Sequence, residues 1–145
     1  MRQSDGNWTL SSQLLVAAGV SLVLTGLYFL FFRAPLLPED LRFMALPADQ
    51  LEALRPGLEL WLFQVFRVMG GFVLATGLLT NTLAATAYRA HDRLAYLGAV
   101  GGGTASIGLM AVVNFAIASD FKWLLFGMAL VSASSLVMFR VEESR

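Results

Sequence analysis

Four long apolar blocks fill most of the 145-residue chain, each about as long as the ~20 residues a helix needs to cross a bilayer. In lipid every backbone N–H and C=O has to find a partner inside the protein, so a chain of this pattern folds as spanning helices. The blocks predict an all-α integral membrane bundle of four transmembrane helices, one domain over 1–145. The spans fall at about 10–32, 58–87, 94–118 and 121–139.

Composition narrows the function classes. Hydrophobic residues make up 57% of the chain and charged ones 14%, which excludes an ordinary soluble domain. The 10 basic and 10 acidic residues cancel, and the basic ones are scattered, so nucleic acid is not an expected partner. With no cysteine, disulfide exchange and thiolate metal sites are removed, and the single histidine, His91, excludes a two-histidine haem within one chain. No cofactor and no metal are expected. The opening MRQSDGNWTLSSQ has Arg2 as its one basic residue, and the block behind it is longer than a signal-peptide core and lacks a small-x-small site after it. It reads as a retained span.

The first span ends at Arg33, where Ala34-Pro35 breaks the helix, with Trp8 and the Tyr28 to Phe32 cluster at its interfaces. The loop 33–56 reads as amphipathic helical pieces lying on the membrane surface. One is opened by Pro38 (Glu39, Asp40, Leu41, Arg42, Phe43, Met44) and one by Pro47 (Asp49, Gln50, Leu51, Glu52, Leu54). The run from Gly57 to Tyr88 would be about 48 Å long as one helix, so its first turns, with Glu59, Gln64 and Arg67, must reach the interface. Asp92 is a helix cap for the third span; Ser119 or Asp120 caps the fourth, anchored by Lys122 and Trp123. Gly19, Thr25, Gly26 and Leu27 recur as Gly70, Thr76, Gly77 and Leu78, fifty-one residues later.

Gln64, Arg67, Gly70, Gly71, Leu74, Gly77 and Asn81 fall within about 140° of arc on the second span, a face both small and polar. Such a face turns an arginine into the bundle, where it can hold an anionic group, a quinone carbonyl or a lipid phosphate. The alternative is that Arg67 snorkels to the interface or pairs with Glu39, Asp40 or Glu59. Asn114 returns to a similar depth, so Gln64, Arg67 and Asn114 are the candidate ligand-binding set; an interhelical hydrogen bond is the plainer role for Asn114. The third span carries Gly98-xxx-Gly102-xxx-Ser106 on one face and Ala99-xxx-Gly103 on another, so it can be clasped from two sides. Its glycine run lacks the strand and lysine of a phosphate loop. Ser132, Ser134 and Ser135 read as packing hydroxyls bonded back to their own helix, and His91 as a solvated loop residue.

Arg67-Val68-Met69-Gly70-Gly71, the Thr-Gly-Leu of the first two spans and the proline-bearing loop between them resemble small bacterial four-helix membrane proteins of the broad DoxX-like kind, over roughly the first half of the chain. The resemblance implies one antiparallel bundle in a bacterial inner membrane, sometimes serving a larger complex, and no active site. The residues point to a non-catalytic accessory or assembly subunit that docks helices of a partner or of its own copy through Gly70, Gly71, Gly77, Gly98, Gly102, Gly103 and Ser106. A carrier of a small amphipathic or anionic ligand at Arg67 is the alternative. Basic residues number five on the side of the termini (Arg2, Arg89, Arg93, Arg140, Arg145) and four opposite (Arg33, Arg42, Arg55, Lys122), favouring cytoplasmic termini.

Overall fold

The computed structural model describes residues 8–45 and 47–145, and every regular element among them is helical. In chain order these are α1 (Leu10–Phe31), α2 (Pro38–Met44), α3 (Ala48–Leu83), α4 (Arg93–Gly103), α5 (Leu109–Ala116) and α6 (Lys122–Glu143). Wider π-helical turns extend α3 (Ala84–Tyr88) and join α4 to α5 (Thr104–Gly108). Four stretches are long and apolar enough to cross a bilayer: Leu10–Phe31, Glu52–Tyr88, Arg93–Ala116 and Lys122–Glu143. Their outward faces carry large apolar side chains such as Leu24, Phe72, Leu79, Val112 and Leu130, as a surface meeting hydrocarbon must. This is the architecture of a multi-pass membrane protein, with the short α2 between its first two spans.

The second span begins earlier than the sequence suggests. Instead of a separate surface piece ending at Pro56, one 36-residue helix, about 54 Å long, runs from Ala48 straight through that proline. Proline removes one backbone donor and orphans the carbonyl four residues back. Here that carbonyl belongs to Glu52, and both residues are exposed on the projecting part of the helix, where water or head groups can satisfy it. An Arg55–Glu59 ion pair of 2.8 Å bridges the position from one turn to the next. The side chains of Asp49 and Leu51, which belong to the second amphipathic piece, lie outside the described residues, as does Arg2. The fourth span also runs longer, to Glu143.

Helix α1 is the centre of the bundle, packing most extensively on α3 and next on α6. The α1–α3 seam is made of the repeated glycines. A Cβ at Gly77 would stand 2.6 Å from Val23 N and 2.8 Å from Gly19 O; one at Gly70 would stand 2.9 Å from Leu30 N and 3.0 Å from Gly26 O. At Gly26 it would meet Leu74 N at 2.5 Å, and at Gly19 it would collide with the Asn81 side chain. The two Gly-x6-Gly strings therefore meet antiparallel, Gly19 opposite Gly77 and Gly26 opposite Gly70. The absence of side chains lets the backbones approach and gain dispersion contact, the chief source of helix association in lipid.

Polar clusters close both ends. On the side of the termini, Tyr88 and Phe139 are buried with rings 4.7 Å apart, and Tyr88 Oη lies 3.0 Å from the Ser135 carbonyl oxygen and 2.9 Å from Ser135 Oγ. Ser135 Oγ donates to Ser11 O at 2.7 Å, tying α6 to α1. Ser135 is thus an interhelical clasp and not a hydroxyl bonded back to its own helix. At the other end Arg33 lies between the rings of Phe29 and Phe66, its guanidinium 3.5 Å from the Phe66 centroid, and bonds Asp40 at 3.2 Å. Buried Glu39 accepts from Ser119 Oγ at 3.3 Å, fixing α2 to the start of α6. Asp92 caps α4 by accepting from Ala95 N at 2.9 Å. For α6 the cap residue is Phe121, and Ser119 supports the start of the helix by accepting from Phe121 N through Oγ at 3.2 Å and from Lys122 N through its carbonyl at 3.3 Å.

Candidate functional site

The polar set on the second span separates in the structure. Gln64 and Arg67 are exposed, and Arg67 lays its guanidinium 4.5 Å from the Phe63 ring centroid. Helical side chains lean toward the amino terminus of their helix, which at this depth carries the arginine out to the interface and not into the bundle. Asn114 is spent locally: Nδ2 donates to Met110 O at 2.9 Å. No hydrogen bond or ion pair joins Gln64, Arg67 and Asn114 to one another among the described residues. The enclosed arginine is Arg33, with a side chain 10% exposed.

The glycines and Ser106 divide into two groups. Gly70 and Gly77 are consumed by α1, a Cβ at Gly103 would stand 3.0 Å from Ser132 Oγ, and one at Gly98 would touch Leu83 at 3.8 Å. Ser106 Oγ donates to Gly102 O at 2.5 Å within its own helix. At Gly71, Gly101, Gly102 and Gly127 an added Cβ would meet nothing within 4 Å. Gly101, Gly102 and Gly127 are also exposed, so among the described residues nothing packs directly on these positions.

Helix α4 makes only slight contact with α3, and between them a crevice of about 450 Å³ opens. Leu15, Ala18 and Leu22 of α1 form its floor; Thr76, Leu79, Thr80, Thr82, Leu83 and Thr86 form one wall. Gly98, Ala99, Gly102, Gly103 and Ile107 form the other, with Ser132 of α6 behind. Local sequence explains the opening. Three glycines leave the α4 wall without side chains, and the two π-helical turns, contributing Thr86 and Ile107, widen both walls where they pass it. The lining carries no charged residue. Leu79, Thr82, Thr86, Gly98 and Gly102 are exposed along its mouth, so it opens sideways toward lipid.

His91 departs from a solvated loop residue. It takes a left-handed backbone (φ 57), stacks on Phe139 with centroids 4.8 Å apart, and holds Nε2 3.5 Å from Glu142 Oε2. Ser11 bonds the same carboxylate through its backbone N–H and its hydroxyl. Ser11 is fully buried with its hydroxyl bonded to Glu142, so the cluster ties the start of α1, the turn at His91 and the end of α6 together. A helical period displays the glycines and Arg67 but not these partners, since the network joins Ser11 and Glu142 of the first and fourth spans with His91 of the turn between the second and third.

No known protein family, characterised protein or solved structure matches the chain.

Proposed function

We propose that this membrane protein is a non-catalytic accessory or assembly subunit, docking a transmembrane helix of a partner or of a second copy against the outward glycines of α4. The observation that carries this reading is the contrast within one residue type. Gly19, Gly26, Gly70 and Gly77 are filled by the chain's own helices, whereas Gly101 and Gly102 stand exposed with nothing within 4 Å. A lipid-facing helix gains nothing from glycine, which costs about 1 kcal/mol against alanine in a helix interior. A second backbone brought close offsets that cost.

A bacterial inner membrane with both termini in the cytoplasm fits the same reading, on the density of arginines in the short turn between the second and third spans. An anionic ligand at Gln64, Arg67 and Asn114 has less support, because the three side chains are engaged or exposed separately. The test is the size of the assembly released from membranes by mild detergent. Gly101→Leu should shift it to the mass of the lone chain while leaving the thermal unfolding of that chain unchanged; an unaltered assembly would remove the docking role.

A further inference from the structure

We propose that the crevice between α3 and α4 is a binding site, reached from within the bilayer, for a single-chain neutral lipid whose uncharged oxygen bonds to Ser132 at mid-membrane. Size sets the first limit. The wall from Thr76 to Thr86 is about 15 Å long and narrow, lined on the far side by glycines. The crevice holds about 450 Å³, within the roughly 300–1,000 Å³ of small-molecule sites. Its occupant is a slender molecule.

Polarity sets the second limit. Thr76, Thr82 and Thr86 donate to the carbonyls of Phe72, Leu78 and Thr82, so their protons are taken by their own helix, and Thr80 and Ser132 are the crevice hydroxyls not engaged in this way. Ser132, 6% exposed, lines the crevice with its hydroxyl beside Gly103 and has no hydrogen-bond partner among the described residues. A free hydroxyl on the crevice wall can bond a ligand oxygen at a depth where no water competes for it. With no charge on the lining, an anionic or cationic group would be stranded there.

Depth distinguishes the lipid class. Ser132 is the eleventh of the 22 residues of α6, about 15 Å from either end, and therefore near the middle of the ~30 Å hydrocarbon core. A phospholipid keeps its ester and head group at the interface and would offer only methylenes to Ser132. A long-chain alcohol or similar headgroup-free lipid can carry its oxygen to that depth. The crevice shares Gly102 with the edge of the outward Gly101 face, and Ser132, which the docking reading does not use, tests the crevice independently of it.

The probe is a hexadecanol analogue bearing a diazirine, photolysed with the full chain in phosphatidylcholine nanodiscs and mapped by peptide mass spectrometry. Saturable labelling on Thr76–Thr86 and Gly98–Ile107 is expected. Ser132→Ala should raise half-saturation about five-fold, the worth of one hydrogen bond. Gly102→Leu, whose side chain has open space to enter, should abolish saturable labelling with the fold retained by thermal unfolding. Non-saturable labelling spread over Leu24, Leu130 and other outward residues would overturn the proposal. So would labelling indifferent to Ser132→Ala, or equal saturable labelling by a diazirine phosphatidylcholine, which would show an ordinary acyl chain filling the crevice.

Discussion

A Cβ on Gly77 would stand 2.6 Å from the backbone nitrogen of Val23, inside any permitted contact, so the antiparallel α1–α3 seam depends on that position having no side chain. Six residues along α3, Gly71 faces open space. Gly77→Ala should cost about 1–3 kcal/mol through forced separation of the two helices. Gly71→Ala should be neutral or stabilising by up to about 1 kcal/mol, the ordinary helix preference. Thermal unfolding in one detergent reads both; equal loss from the two would contradict the seam.

Tyr88 and Ser135 clasp α6 to the end of the second span in a fully buried position. Tyr88→Phe keeps the ring contact with Phe139 and removes the hydroxyl, so a loss of about 1 kcal/mol is expected. Phe139→Ala, which empties the ring stack with Tyr88, His91 and Tyr96, should cost about 3–5 kcal/mol. Comparable losses from the two substitutions in detergent unfolding would refute this ranking.

Ala118 ends α5 with φ 52, its N–H bonded to Phe115 O at 3.1 Å and the N–H of Ser119 to Asn114 O at 2.9 Å. This is the helix stop in which glycine usually occupies the left-handed residue, because a Cβ there costs roughly 1–2 kcal/mol. Ala118→Gly should therefore raise the unfolding temperature, although glycine also gives the unfolded chain more freedom and trims the gain to about 1 kcal/mol or less. A lower unfolding temperature would count against the left-handed stop.

The repeated glycines of the first two spans were legible as a pattern, because a residue type recurring at a fixed interval needs only one chain position to be seen. Their meeting was not, since the sequence does not reveal that the two strings run antiparallel in one register. The same limit explains the arginines. Arg67 drew attention by sharing an arc with small residues, yet the direction in which helical side chains lean takes it outward to Phe63. Arg33 looked like the punctuation after α1, and its enclosure depends on Phe66 and Asp40 arriving from two other elements. Pro56 signalled a helix boundary and proved tolerable because it lies on the exposed projection of α3.

The contrast between these two arginines is itself testable. Arg33 bonds Asp40 and the carbonyls of Ala34 and Pro35, which holds α2 against the end of α1. Arg33→Ala should free α2 and speed proteolytic cutting between Ala34 and Ala45 several-fold, whereas Arg67→Ala should alter neither cutting nor unfolding by more than about 0.5 kcal/mol. Equal protection of the two variants would show that Arg33 does not hold the loop.

Orientation decides which compartment meets α2. The stretch 33–56 carries three basic residues (Arg33, Arg42, Arg55) and four acidic ones (Glu39, Asp40, Asp49, Glu52), a formal charge of 3 − 4 = −1. The turn from Arg89 to Arg93 has two basic and one acidic residue, giving 2 − 1 = +1 in five positions. Arginines close to span ends are retained on the cytoplasmic side, and here they cluster tightly, with Arg89 over the Trp8 ring at 4.9 Å and Arg140 over Tyr96 at 4.4 Å. The compact turn and both termini should stay inside, with α2 facing outward. Ala90→Cys and Ala34→Cys replace exposed residues at opposite ends of the bundle. On intact cells an impermeant thiol reagent should label Ala34→Cys and spare Ala90→Cys, and the reverse pattern would invert the protein.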